Sequence, residues 1–117
     1  MQQSFGQLIR QARKNKGYSQ RDLAKLIPVD FTYLSKLENN RAARPSEEFI
    51  RSLAPHLDLD EEELIFLAGR IPERDEDFLK KNYQAMPALF RRMQENPDFA
   101  QKVFQEATQP EDEEEQN

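Results

Sequence analysis

Apolar residues recur three and four positions apart along most of the chain, with polar residues between them, and each run opens on a short side chain able to cap a helix. The first run is Phe5, Leu8, Ile9 and Ala12. Ser4 and Gln7 form a capping box before it, and Gly17 supplies the left-handed residue that ends a helix reaching about Lys16. The second run, Leu23, Ala24 and Ile27, follows Ser19 and Asp22, which predicts a helix over Gln20 to Ile27. Pro28 stops it, having no N–H to donate and disfavouring helical geometry at Ile27. Asp30 restarts the chain as the cap of a helix over Phe31 to Asn39, with Leu34 and Leu37 facing inward beside Val29 from the turn. Ser46 caps a fourth helix that has Glu47 and Glu48 in its first turn, where the helix dipole favours them. Its core face is Phe49, Ile50, Leu53, Ala54 and Leu57, and Pro55 should kink or shorten its end. Asp60 with Glu63 caps a fifth helix through Ala68, in which Leu64, Ile65 and Leu67 close the core and Gly69 ends the helix.

A second region repeats the pattern more sparsely. Residues 70–74 read as a linker. Asp75 or Asp77 caps a helix carrying Phe78, Leu79, Tyr83 and Met86; Pro87 suits the first turn of another bearing Leu89, Phe90 and Met93. Asn96 and Pro97 open a last helix with Phe99, Val103, Phe104 and Ala107. A region of roughly 35 residues cannot bury so much apolar surface alone. It must pack on a second copy, on the first domain, or on another protein; self-association is preferred. Residues 109–117 hold five acidic residues and no apolar one, the composition of a disordered tail that solubilises the chain or competes for a basic face. The expected architecture is all-α. A five-helix domain spans 1–69, a linker 70–74, a helical oligomerisation or interaction region 75–108, and the acidic tail 109–117.

The stretch from Ser19 to Glu38 is two short helices across a tight turn, the arrangement of a helix-turn-helix, whose second helix enters the major groove N-terminal end first. Gln20, Leu23-Ala24, Val29, the run Tyr33-Leu34-Ser35-Lys36-Leu37-Glu38-Asn39 and Arg44-Pro45-Ser46 fall where the phage repressor and Cro (Xre-type) domains carry corresponding residues. The resemblance spans roughly residues 5 to 69. It implies a repressor-like domain acting on double-stranded DNA. It also implies that Arg13 pairs with Glu38 as a partly buried strut and that Gln20 grips a phosphate. By the same resemblance the loop Asn39–Pro45 binds phosphate, with Asn39 and Arg41 clamping the backbone while Arg44 reaches towards the minor groove. Without the resemblance, that loop reads as a solvated connector in which Asn40 takes the positive φ that ends a helix. One position departs from the family pattern. A glycine with positive φ usually stands where this chain has Pro28, whose φ is locked near −65°, so the turn must run differently.

The outer face of the second helix offers Phe31, Thr32 and Lys36 for base reading. Thr32 carries a hydroxyl and a methyl, Lys36 one turn on can donate to guanine O6 or N7, and Phe31 suits a thymine methyl or a sugar. Tyr33 and Ser35, at the edge of that face, are candidates for backbone contact.

Charge supports this division of labour. The net charge of −5 splits into +4 over residues 1–50, with nine Lys/Arg against five Asp/Glu, and −9 over residues 51–117. The basic excess therefore lies in the half that would face phosphates. With no cysteine there is no disulfide and no thiolate nucleophile, and the lone histidine, His56, reads as an exposed residue near a helix end. No cofactor or metal is expected, and nothing favours an enzyme. No apolar run is long enough for a membrane span and no signal-peptide pattern opens the chain, which points to the cytoplasm. The favoured reading is a homodimeric transcriptional repressor on an inverted-repeat operator. The alternative is a protein-interaction module, an antitoxin or adaptor, acting through the C-terminal helices. From the family also comes the expectation that an anti-repressor or a metallopeptidase targets the region after Arg70.

Overall fold

The computed structural model describes residues 3–110, and these fall into two compact units that divide between Asp75 and Glu76. The first unit contains α1 (Phe5–Asn15), α2 (Gln20–Leu26), α3 (Phe31–Glu38), α4 (Glu47–Leu53), a 3-10 turn (Ala54–Leu57) and α5 (Glu61–Leu67). Helices this short are marginal in isolation. Local caps start them and a shared core holds them. Ser4, Ser19, Asp30, Ser46 and Asp60 each accept a backbone N–H from the first turn that follows, and Ser4 and Ser19 complete reciprocal capping boxes with Gln7 and Asp22. Ile9, Leu23, Leu34, Ile50, Leu53, Leu64 and Ile65 are fully buried, each contributing about 1.5–3 kcal/mol against exposure. Phe5, Leu8, Val29, Tyr33 and Phe49 pack around them.

One detail differs from the reading by sequence, and two prolines act as that reading expected. Leu67, expected in the core, is 40 % exposed, because α5 turns Leu64 and Ile65 inward and Leu67 lies off that stripe. Pro55 converts the end of the fourth helix into the 3-10 turn, and the non-glycine Asp58 takes the left-handed conformation, φ 55°, that ends it. At Pro28 the turn closes without positive φ: among the described residues only Gly17, Asn40, Asp58 and Gly69 have it. Ile27 leaves the helix at φ −110°, ψ 23°, and the Val29 N–H reaches back to the Ala24 carbonyl at 3.1 Å. The two helices still pack on each other, so proline changes the path of the turn and keeps the pair.

Residues 70–75, read above as the linker with the first residue of the next region, lie within the first unit. Pro72 is fully buried, the Arg70 guanidinium donates to the Pro45 carbonyl, the Glu73 N–H donates to Glu47 at 2.8 Å, and Arg74 pairs with Glu62. Buried proline and three polar contacts hold this segment down.

The second unit consists of α6 (Glu76–Lys81), α7 (Ala85–Glu95) and α8 (Pro97–Thr108), with α7 packed on α8. Asn96 caps α8 through the Phe99 N–H, and Pro97 follows at its first position. Helix α7 begins at Ala85, two residues ahead of Pro87. No described residue of these three helices is buried, while Phe78, Tyr83, Phe90 and Phe104 are about half or more exposed. The expectation of a disordered acidic tail falls mainly on residues 111–117, which lie outside the described residues.

Candidate nucleic-acid interface

Helix α3 divides cleanly between an inner and an outer face. Leu34 and Leu37 enter the core, and Phe31, Thr32 and Lys36 stand exposed on the other side. Asp30 places the first turn by accepting the Thr32 N–H at 3.0 Å. Phe31 keeps 37 % of its surface exposed, and the Arg21 guanidinium lies over its ring, 4.5 Å from the centroid. Tyr33 is half-buried: its ring meets Phe49 edge-on at 5.5 Å, and burial pushes its phenol above the usual tyrosine range. Ser35 is half-buried at the edge of the face, and its carbonyl accepts the Asn39 side-chain amide at 2.9 Å.

Beneath this face a buried ion pair ties the three N-terminal helices together. Arg13 Nε and Nη2 donate to the two oxygens of Glu38 at 2.7 and 3.1 Å, and Arg13 Nη1 donates to the Tyr18 carbonyl at 2.8 Å. Gln20 Nε2 donates to the same Glu38 at 3.0 Å, so α1, α2 and α3 meet at one carboxylate. A pair buried this deeply is neutral or favourable only while both partners and their remaining hydrogen bonds are present. Gln20, expected from the resemblance to grip a phosphate with its side chain and neighbouring backbone, directs its side-chain amide to Glu38.

The loop after α3 is anchored at both ends. Asn40, at φ 58°, accepts the Gly6 N–H at 3.1 Å and donates to Ser4 Oγ at 3.0 Å, which fastens the end of α3 to the start of α1. The approach is close: a Cβ on Gly6 would stand 2.6 Å from the carbonyl oxygens of Leu37 and Glu38. The Arg41 N–H returns to the Lys36 carbonyl at 2.8 Å, which holds the backbone of Arg41 at the end of α3, and its side chain is exposed. Arg44 is exposed with its guanidinium beside Gly69, where a Cβ would meet it at 3.5 Å, and Arg70 holds the following residue, Pro45. Thus Phe31, Thr32, Lys36, Asn39 and Arg41 come together on and just beyond α3, while Arg44 lies at the end of α5. Arg21 was not singled out by sequence: it sits on an exposed position of α2 with no motif to mark it, and only the fold brings it to Phe31.

Among the oligomerisation candidates, Phe78, Tyr83, Phe90 and Phe104 are exposed, and Leu79, Leu89, Met93, Phe99 and Val103 are half-buried. Phe90, Met93, Ala100 and Phe104 line an open apolar groove between α7 and α8. Among the described residues no group of His, Asp or Glu side chains could hold a metal ion, and no helix is long and apolar enough to cross a membrane.

A family model for the helix-turn-helix domain matches residues 6–70. The HTH-type transcriptional regulator SinR of Bacillus subtilis (strain 168) is 42 % identical over 55 residues, 47 % of this chain and 50 % of SinR. The chain thus spans about half the length of the curated relative it matches. Two solved structures are also similar. A crystal structure of SinR, described as the master regulator for biofilm formation, in complex with DNA is 39 % identical, with 52 % of this chain and 97 % of that chain covered and a TM-score of 0.48. A SinR protein/SinI protein complex is 27 % identical over 84 % of this chain and 98 % of that chain, with a TM-score of 0.49.

Proposed function

Because the chain belongs to the helix-turn-helix family, we propose that it is a sequence-specific DNA-binding transcriptional regulator, a repressor that binds an inverted-repeat operator as a homodimer. The observation that carries this reading is the outer face of α3: Phe31, Thr32 and Lys36 are exposed on a helix whose inner face is locked into the core and whose last residue is held by Arg13. A recognition helix must be presented rigidly, since every degree of freedom fixed on binding subtracts from affinity. Thr32 and Lys36 read base edges and Phe31 takes a thymine methyl. Asn39 and Arg41 hold the phosphate rail, with Tyr33 and Ser35 at its edge. Gln20 acts first as a brace on Glu38 and touches phosphate through its backbone. Arg44 serves the backbone from the end of α5. A DNA-binding role carries a cytoplasmic location with it and requires no cofactor.

Homodimerisation is assigned to the second unit, where Phe78, Leu79, Tyr83, Leu89, Phe90, Met93, Phe99, Val103 and Phe104 lack a core of their own. The same exposed surface supports a second reading, a protein-interaction module such as an antitoxin or adaptor in which the unit binds another protein and DNA binding is secondary; within the repressor reading, an anti-repressor or a metallopeptidase is the partner that would act on this unit. Selection of bound fragments from a random duplex pool, with the full chain and with a Phe90→Glu/Phe104→Glu variant, tests both. An inverted repeat enriched by the full chain and lost in the variant supports the dimeric regulator. No enrichment by the full chain gives the lead to the protein-binding reading. Within the first outcome, Arg41→Ala should weaken all sequences and lower the salt slope by about one unit, whereas Lys36→Ala should relax preference at one base pair.

A further inference from the structure

The Arg21 side chain lies outside every role assigned so far. It belongs to α2, it takes part in no ion pair among the described residues, and its guanidinium rests over the Phe31 ring at the N-terminal end of the outer α3 face. Ala24, Lys25 and Val29 complete the open recess around the two side chains. A guanidinium over an aromatic face is held by the ring's negative quadrupole, at about 0.5–1 kcal/mol where solvent reaches it. The contact selects a few rotamers from a long, flexible side chain, and so reduces the freedom that Arg21 loses on binding. It also leaves the guanidinium N–H fork next to the part of α3 that meets base edges first.

We infer that Arg21 and Phe31 form one reading unit for a thymine–guanine step: the ring edge contacts the thymine methyl and the Arg21 fork donates to O6 and N7 of the adjacent guanine. This deepens the proposed function and rests on it. Guanine is the base that matches a planar two-donor fork in the major groove, and arginine on guanine is the commonest specific contact there. A lysine in the same place keeps the charge but loses both the fork and the flat stacking surface. The two side chains act together, because removal of the ring frees the arginine.

The test uses the full chain in fragment selection at one fixed salt concentration, followed by titration of the enriched site and its guanine-substituted variants. The wild-type protein should prefer guanine at one position of each half-site by about 10- to 100-fold, the range expected of a bidentate pair. Arg21→Lys should bring that preference to within a few-fold of unity while leaving the preferences set by Thr32 and Lys36. Phe31→Leu should reduce the same guanine preference as well as the adjacent thymine preference. Thermal melting of each variant close to wild type shows that the fold is kept. An unchanged motif for Arg21→Lys overturns the inference, as does an Arg21→Met variant that weakens every sequence equally and lowers the salt slope by about one unit, the signature of a phosphate contact. Failure of the wild-type chain to enrich any motif overturns the proposed function together with the inference; a wild-type motif that survives Arg21→Lys overturns the inference alone.

Discussion

Replacement of Glu38 by alanine tests whether the buried pair braces the DNA-facing helices. The change leaves the Arg13 guanidinium, whose side chain is only 10 % exposed, without its carboxylate, and leaves the Gln20 amide without an acceptor. Breaking a buried pair from one side costs about 3–5 kcal/mol, most of it the desolvation of the orphaned charge. A unit of this size has of the order of 4–11 kcal/mol to lose, at about 0.05–0.15 kcal/mol per residue. Glu38→Ala therefore removes about a quarter or more of the stability of the first unit. With a urea dependence of about 1.5 kcal/mol per molar, the midpoint should fall by about 2–3 M. The assay is a urea titration followed by the methyl NMR signals of Ile9, Leu23 and Leu34, which report on the first unit alone. The double variant Arg13→Met/Glu38→Leu removes both charges at once and should cost less than the sum of the single changes by at least about 1 kcal/mol. A loss below about 1 kcal/mol for Glu38→Ala would mean that the pair behaves like an exposed surface bridge, and the reasoning would be refuted.

Other perturbations have expected outcomes of their own. Gly6→Ala, which at most helix positions stabilises, should here lower the melting temperature by an amount equivalent to about 1–3 kcal/mol, because the new methyl meets fixed carbonyl oxygens of Leu37 and Glu38. Asn40→Ala should cost about 1–2 kcal/mol from the left-handed backbone alone, and Asn40→Gly should recover that part but not the bonds to Gly6 and Ser4, as read by chemical denaturation. Asp22 is held below its ordinary 3.8 by the Ser19 N–H, so its contribution is present above that value and lost as pH falls through the lowered one; the protection of the amides at the start of α2, measured relative to their intrinsic exchange at each pH, should fall on acidification in the wild type and not in Asp22→Asn. Glu47 is likewise lowered, chiefly by the Glu73 N–H, and Glu47→Gln should raise exchange of the Glu73 amide at neutral pH while leaving the core amides protected.

The parts of the fold that were legible in the sequence are those written locally. Ser4, Ser19, Asp30, Ser46, Asp60 and Asn96 announce helices because a cap needs only the next three residues, and Leu23, Leu34, Leu37, Ile50 and Leu53 face the core because helical spacing leaves them no other face. What escaped depends on residues distant along the chain. Pro72 and Arg70 look like linker residues until the groove beside Pro45 is present to receive them, Leu67 looks like core until α5 has a fixed rotation, and Gly6 looks ordinary until α3 crosses it. At the candidate interface, the outer face of α3 follows from its periodicity, and the meeting of Arg13 with Glu38 was reached through the family resemblance. The turn of Gln20 towards Glu38 and of Arg21 onto Phe31 was not legible, since each depends on the angle between α2 and its neighbours.

The turn at Pro28 bears on the unfolded chain as well as on the folded one. A glycine in that position would leave the denatured ensemble free to explore both signs of φ, and folding would have to remove that freedom. Proline has surrendered it beforehand, and the native turn accepts its fixed φ without a left-handed residue and without an N–H that the fold requires. Substitutions of this compatible kind add about 0.4–1 kcal/mol by impoverishing the disordered state. The two helices at the centre of the domain are thus joined by a hinge whose entropy was spent in the covalent structure, so Pro28→Gly should loosen the domain while every contact of the native fold remains available.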